Sequence, residues 1–191
     1  MLTFTPEQRC RFAADIDGDY RPKTKKTIVL VGLMGSGKSM IGKHLAKEFG
    51  MKFYDSDVEI EKITKKSINL IFEEYGEPYF REIESKVCLN LLNEKNCIIS
   101  LGGGAILDKK IRNKIKSNSY CIYLKVKIDE LIQRLKKTTR RPLLKNVNIK
   151  SKIDTLYKNR KIYYNKANLI IENNGNKNET IDIIKKKLSF R

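Results

Sequence analysis

Gly32-Leu33-Met34-Gly35-Ser36-Gly37-Lys38-Ser39 is the stretch that decides how the rest of this 191-residue chain is read. It closes a short β-branched apolar run, Thr27–Gly32, and opens a segment with helical spacing at Ile41, Leu45 and Phe49 that stops at Gly50. A glycine-rich loop between a buried strand and a helix is a phosphate cradle. Glycines at 32, 35 and 37 let backbone N–H groups turn inward, and the helix N-terminus adds its dipole. Lys38 reaches the β- and γ-phosphates of a nucleotide, and the Ser39 hydroxyl is a ligand for Mg²⁺. The bland alternative, a glycine-rich turn with a chance lysine, does not explain why the pattern sits between a strand and a helix.

Outward from the loop, short apolar runs alternate with helical periodicity. Strands are predicted at Met51–Tyr54, Cys97–Leu101, Tyr120–Val126 and Asn168–Ile171. Helices are predicted at Ser56–Ile63, Ser67–Tyr75, Glu77–Asn93, Asp108–Lys116, Asp129–Lys136, Ser151–Lys166 and Glu179–Leu188. Asp108 suits an N-cap. Lys137–Lys150 carries Pro142, many charges and weak periodicity, and reads as a mobile loop. Residues 1–26 lack sustained periodicity and read as a flexible N-terminal extension to a single domain at 27–191. Alternation of this kind implies an α/β fold of three layers, a five-stranded parallel sheet flanked by helices. Ligands then bind beyond the carboxyl ends of the strands.

Each of the first three strands ends in something chemically pointed. After the loop come Asp55 and Asp57, where one carboxylate could hold Mg²⁺ and a second could take a hydroxyl proton. Alone, they read as readily as a strand end and a helix cap. Gly102-Gly103-Gly104 after a buried strand implies close approach of a ligand to backbone. Arg81 has Glu77 and Glu84 within helical reach and could be merely paired. An arginine from Arg140-Arg141-Pro142, in the loop at 137–150, could swing as a lid onto a transferring phosphoryl group. Arg160 is unremarkable by itself.

Composition narrows the class. Net charge is +18, from 40 basic and 22 acidic residues. That favours anionic partners, but the lysines are scattered, with no arginine-rich block or interleaved aromatics. Nucleic acid is therefore not expected. No run approaches the ~18 apolar residues of a membrane-spanning helix. The cysteines, Cys10, Cys88, Cys97 and Cys121, form no CxxC pair, and His44 has no cysteine nearby. Buried reduced thiols are expected, with no zinc or dithiol site. A cytosolic monomer fits these features.

Taken together, the residues resemble the shikimate kinase family, from about Ile28 to Ile171. The resemblance rests on the loop at 32–39, Phe53-Tyr54-Asp55-Ser56-Asp57, Ser67-Ile68 leading to Ile71-Phe72 and Gly76-Glu77, and Phe80-Arg81-Glu82. It continues through Gly102-Gly103-Gly104-Ala105, Arg141-Pro142-Leu143-Leu144, and Arg160 before Tyr163. It implies a P-loop kinase fold with a mobile lid. It also implies transfer of the ATP γ-phosphoryl group to the 3-hydroxyl of shikimate, in aromatic amino-acid biosynthesis, with one Mg²⁺. On this resemblance Gly35, Ser36, Gly37, Lys38, Ser39 and Met40 hold the nucleotide, with Arg134 near the adenine. Ser39 and Asp55 hold the metal. Asp57, Arg81, Arg160 and the backbone of Gly102, Gly103 and Gly104 bind shikimate. Lys38, Asp57 and Arg141 carry the catalysis, and Arg141 touches both substrates. Departures are the extension at 1–26, Met40 where a hydroxyl residue is common, and a lysine-rich lid.

Two other readings remain open at this point. A gluconate-type sugar-acid kinase also handles hydroxyls and a carboxylate. A nucleic-acid-binding loop protein without turnover is supported only by the charge.

Overall fold

The computed structural model describes residues 26–136 and 148–189. The extension, apart from Lys26, and the lid arginines Arg140 and Arg141 lie outside the described residues. Five strands form one parallel sheet: β1 (Thr27–Val31), β2 (Lys52–Asp55), β3 (Cys97–Ser100), β4 (Ser119–Lys125) and β5 (Leu169–Glu172). Their spatial order is β2-β3-β1-β4-β5. In register, Val29 pairs with Ile99 on one side and Cys121 on the other. The helices are α1 (Lys38–Glu48), α2 (Ser56–Thr64), α3 (Ile68–Leu91), α4 (Lys109–Asn118), α5 (Ile128–Lys136), α6 (Ile149–Tyr164) and α7 (Lys177–Ser189).

The two-residue period of a strand decides which layer each side chain enters. Val29 and Val31 of β1, with Ile99, Cys121 and Tyr123, pack into one cluster with Val87, Ile111, Leu131 and Ile153 of the helices. Ile28 and Leu30, with Ile98, Ile122 and Leu124, pack into the other, against Ile41 and Leu45 of α1 and Ile184 of α7. β1 is buried along its whole length. That explains its unbroken Ile-Val-Leu-Val run: a parallel strand covered on both faces has no solvent side to mark with polar residues. Each such side chain contributes about 1.5–3 kcal/mol by leaving water.

The helices foreseen at Ser67–Tyr75 and Glu77–Asn93 both form within the span labelled α3 and meet at a kink at Gly76, where φ is 80° and ψ 174°. That left-handed residue, followed by Pro78 in the first turn of the second segment, lets the chain change direction without losing a large side chain's worth of strain. α6 starts earlier than expected, within the stretch read as part of the loop at 137–150. Asn148 caps α6 by accepting the Ser151 N–H at 3.2 Å, so Ile149 and Lys150 are helical. Cys88, Cys97 and Cys121 are buried free thiols, as foreseen. Among the described residues no helix is long and apolar enough to cross a membrane.

Candidate active site

At the carboxyl ends of β1, β2 and β3 the expected residues converge. The loop after β1 turns tightly, with the Ser36 N–H donating to the Leu33 carbonyl at 3.2 Å. Gly37 stands at the N-cap of α1 with φ 89°, a conformation that strains any residue with a Cβ. Lys38 folds back over the loop, and its Nζ donates to the carbonyls of Gly32 and Leu33, each at 2.9 Å. The ammonium is thereby held beside the cradle rather than trailing into solvent.

β2 delivers Asp55 as the N-cap of α2, where its Oδ1 accepts the Asp57 N–H at 3.0 Å. Its Oδ2 accepts from the Ser39 hydroxyl in the first turn of α1. One carboxylate thus starts a helix and reaches the phosphate loop. Ser56 is buried, and its hydroxyl accepts the Gly102 N–H at 2.8 Å, tying the ends of β2 and β3 together.

The triple glycine after β3 is required by what crowds it. A Cβ on Gly102 would stand 2.6 Å from Asp57 Oδ1 and 2.7 Å from Glu84 Oε1. One on Gly104 would collide with the Arg81 guanidinium, 2.7 Å from its Cζ, and one on Gly103 would stand 3.3 Å from Arg160 Nη1. The carbonyl of Gly103 accepts the Tyr164 hydroxyl at 2.7 Å. Burial pushes that hydroxyl's pKa up to about 12, so Tyr164 stays a donor.

α3 and α6 supply the arginines. Arg81 donates from Nη2 to Glu77 Oε1 at 2.7 Å and from Nη1 to Glu84 Oε2 at 2.6 Å. Arg160 is 2% exposed, and its Nε and Nη1 have no hydrogen-bond partner among the described residues. A buried guanidinium with idle donors is costly unless an anion completes it. Glu84 was expected only as an incidental neighbour of Arg81. It is a buried carboxyl within the influence of Asp57, Arg81 and Arg160. Burial pushes its pKa above the ordinary value, while Arg81 pulls against that shift.

Two adjoining cavities result. The larger, about 630 Å³, is lined by Asp57, Arg81, Glu84, Arg160 and the three glycines, with Ser39 and Asp55 at its border. Met34, Val58, Ile68, Phe72 and Phe80 add apolar surface to its lining. The smaller, about 310 Å³, is lined by Gly35, Gly37, Lys38, Ser39, Met40 and Arg134, with Asn173 beyond them. Ser39 borders both. Arg134 is held by Glu130 at 2.9 Å on its own helix and donates to the Asn173 carbonyl at 2.9 Å. Ser36 is buried, its hydroxyl without a hydrogen-bond partner among the described residues. So a charged, hydroxyl-facing chamber adjoins a phosphate loop, the arrangement needed to align an acceptor with a phosphoryl donor. Asn173 and Glu84 were missed as site residues. Glu84 carried one signal, its three-residue spacing from Arg81 on a helix.

Comparison with known proteins agrees with this geometry. The shikimate kinase family model matches residues 34–189. A shikimate kinase of Bartonella henselae is 42% identical over 156 residues, covering 82% of this chain and 74% of the relative. One of Clostridium botulinum is 42% identical over 162 residues, covering 84% of this chain and 95% of the relative. The solved shikimate kinase of Acinetobacter baumannii in complex with shikimate superposes with a TM-score of 0.83 at 36% identity, over 88% of this chain and 96% of that one.

Proposed function

We infer the reaction from one premise: the chain belongs to the shikimate kinase family, and is an ATP-dependent small-molecule kinase. On our reading it transfers the γ-phosphoryl group of ATP to the 3-hydroxyl of shikimate, giving shikimate 3-phosphate and ADP. The choice of shikimate among carboxylate-bearing acceptors rests on the family, and the observation that carries a carboxylate-bearing acceptor is Arg160. Its buried, half-idle guanidinium opens on the same cavity as Arg81. Two planar guanidinium groups match one carboxylate, and shikimate has one.

The remaining roles belong to the same reading. Gly35, Ser36, Gly37, Lys38, Ser39 and Met40 hold the triphosphate, and Arg134 lies against the base. Asp57, at the floor of the larger cavity beside Gly102, orients the attacking hydroxyl and is placed to accept its proton. The Gly102–Gly104 backbone gives shikimate room to approach. Lys38 and Arg141 complete the charge on the transferring group, Arg141 coming from outside the described residues.

The donor set at the border fits Mg²⁺. A serine hydroxyl and one carboxylate are hard oxygen ligands, and such sites take the rest from phosphate and water. Among the described residues no cluster of three or more His, Cys, Asp or Glu offers a self-sufficient metal site, which a nucleotide-borne Mg²⁺ does not need. Ser39 and Asp55 would hold the ion, which when bound neutralises charge on the β- and γ-phosphate oxygens. A cytosolic monomer without a nucleic-acid or membrane partner belongs to the same proposal. Shikimate-dependent ADP release from MgATP by the purified chain tests it.

A further inference from the structure

Asn173 joins the phosphate loop to the edge strand β5 and to α7. It follows β5 directly and is 2% exposed, yet each of its polar groups is engaged. Its backbone N–H donates to the Lys125 carbonyl at 2.7 Å, and its carbonyl accepts from Arg134 Nη2 at 2.9 Å. Its Nδ2 donates to the Ser36 carbonyl at 2.8 Å, and its Oδ1 accepts from the Thr180 hydroxyl at 2.9 Å. The Ser36 carbonyl can only accept, so it fixes which end of the amide is nitrogen. Thr180 is itself buried on α7 and holds the other end.

The consequence lies in the Ser36–Gly37 peptide. A planar trans peptide points its C=O and N–H in opposite directions. With the Ser36 carbonyl drawn toward Asn173, the Gly37 N–H faces away from Asn173. Gly37, at φ 89°, crosses between backbone wells more cheaply than any other residue type would. It is therefore a point at which this peptide could turn over and withdraw its donor. Packing is equally close: a Cβ on Gly37 would stand 2.8 Å from Asn173 Nδ2.

We propose that Asn173 is a positioning residue for the nucleotide. Its side-chain amide locks the Ser36–Gly37 peptide so that the Gly37 N–H serves the phosphates, and its carbonyl holds Arg134 at the rim of the adjoining cavity. The proposal rests on the reading of residues 32–39 as the nucleotide site.

The test compares the wild-type chain with Asn173→Asp and Thr180→Val, each checked for folding by circular dichroism. ADP and shikimate are titrated separately by calorimetry, and KM is measured for ATP and shikimate. Asp keeps the size of Asn but sets a carboxylate oxygen against the Ser36 carbonyl. Asn173→Asp is expected to weaken ADP binding and raise the ATP KM at least about tenfold, a change of ~1.4 kcal/mol. Its shikimate affinity should stay within about twofold of wild type, a split that general damage would not produce. Thr180→Val, which frees the amide, should shift ADP in the same direction by about threefold, the scale of one neutral hydrogen bond. A folded Asn173→Asp that binds ADP as wild type does overturns the proposal, as does equal loss of both ligands. If Asn173→Asp does not fold, Thr180→Val decides: unchanged ADP affinity overturns it. A wild-type chain that fails to bind ADP overturns the nucleotide-site reading itself, so the two failures are distinguishable.

Discussion

Arg81 and Glu84 lie one helical turn apart on α3 and meet through Nη1 and Oε2 at 2.6 Å, with Glu84 buried and Arg81 reaching the cavity. The pair fixes a guanidinium that would otherwise sample many rotamers, and on the proposed function it is presented already aligned to a substrate carboxylate. A second acid, Glu77, steadies its outer edge.

Arg81→Ala should cripple shikimate use and leave ATP binding nearly intact. Removing one partner of a buried charged pair costs about 2–5 kcal/mol, so the shikimate KM should rise by ~30-fold or more. Arg81→Lys should recover little, because an ammonium cannot bridge Glu77, Glu84 and a carboxylate as a planar fork does. Steady-state kinetics with each substrate varied checks both. Equal loss of ATP binding would show that Arg81 has another task.

Gly104→Ala isolates the cavity from the backbone. Gly104 has φ −88° and ψ −23°, allowed for alanine, so the only penalty is the collision with Arg81. Overpacking of this kind costs about 1–3 kcal/mol. The shikimate KM should rise while ADP affinity, measured by calorimetry, stays near wild type. Loss of ADP affinity alone would contradict the placement of Gly104 beside the acceptor.

These two variants touch residues that could be read in the sequence, and the reason is local. Gly32–Ser39, Asp55–Asp57 and Gly102–Gly104 each close a strand within a few residues, so chemistry and position were written side by side. β1 was readable because burial on both faces leaves an unbroken apolar run. Arg160 looked ordinary until α6 packed and left its guanidinium buried with idle donors. Asn173 was invisible because its partner Ser36 lies 137 positions away, and no local pattern encodes a contact of that span. The two helices within α3 were readable because Gly76 breaks the helical dihedrals at the point where the periodicity resets.

Asp55→Asn should separate the cap from the metal. Asn still accepts the Asp57 N–H, so α2 keeps its start. Its charge toward a cation is gone. The Mg²⁺ concentration giving half the maximal rate should rise by ~10–100-fold, the scale of losing a partner at a metal site. A Mg²⁺ titration at saturating ATP checks this. An unchanged midpoint removes Asp55 from the metal set.

Asp108→Ala probes stability away from the cavities. Asp108 caps α4 by accepting the Lys110 N–H at 2.6 Å, and it accepts the Ser85 hydroxyl from α3 at 2.5 Å. Burial pushes its carboxyl up, but the Ser85 hydroxyl and the Lys110 and Ile111 N–H groups together bring it below the ordinary 3.8. A carboxyl lowered in the folded state adds stability above its ordinary value and loses it as pH falls through the folded one. At neutral pH the variant should lose ~1 kcal/mol, the usual cost of a missing cap. That corresponds to a Tm lower by about 2–4 °C. The gap should narrow as pH drops below the ordinary value of 3.8. Thermal melts across pH check it, and a gap that widens in acid would contradict the cap's charge dependence.

The central claim is the acceptor. The purified chain, with ATP and Mg²⁺, is offered shikimate, gluconate and nucleoside monophosphates in separate reactions while ADP is followed. Release of ADP that depends on shikimate, with the other acceptors near background, is the result expected from the family and the Arg81–Arg160 cavity together. Folded, ADP-binding protein that releases no ADP with shikimate, or that prefers gluconate, contradicts it.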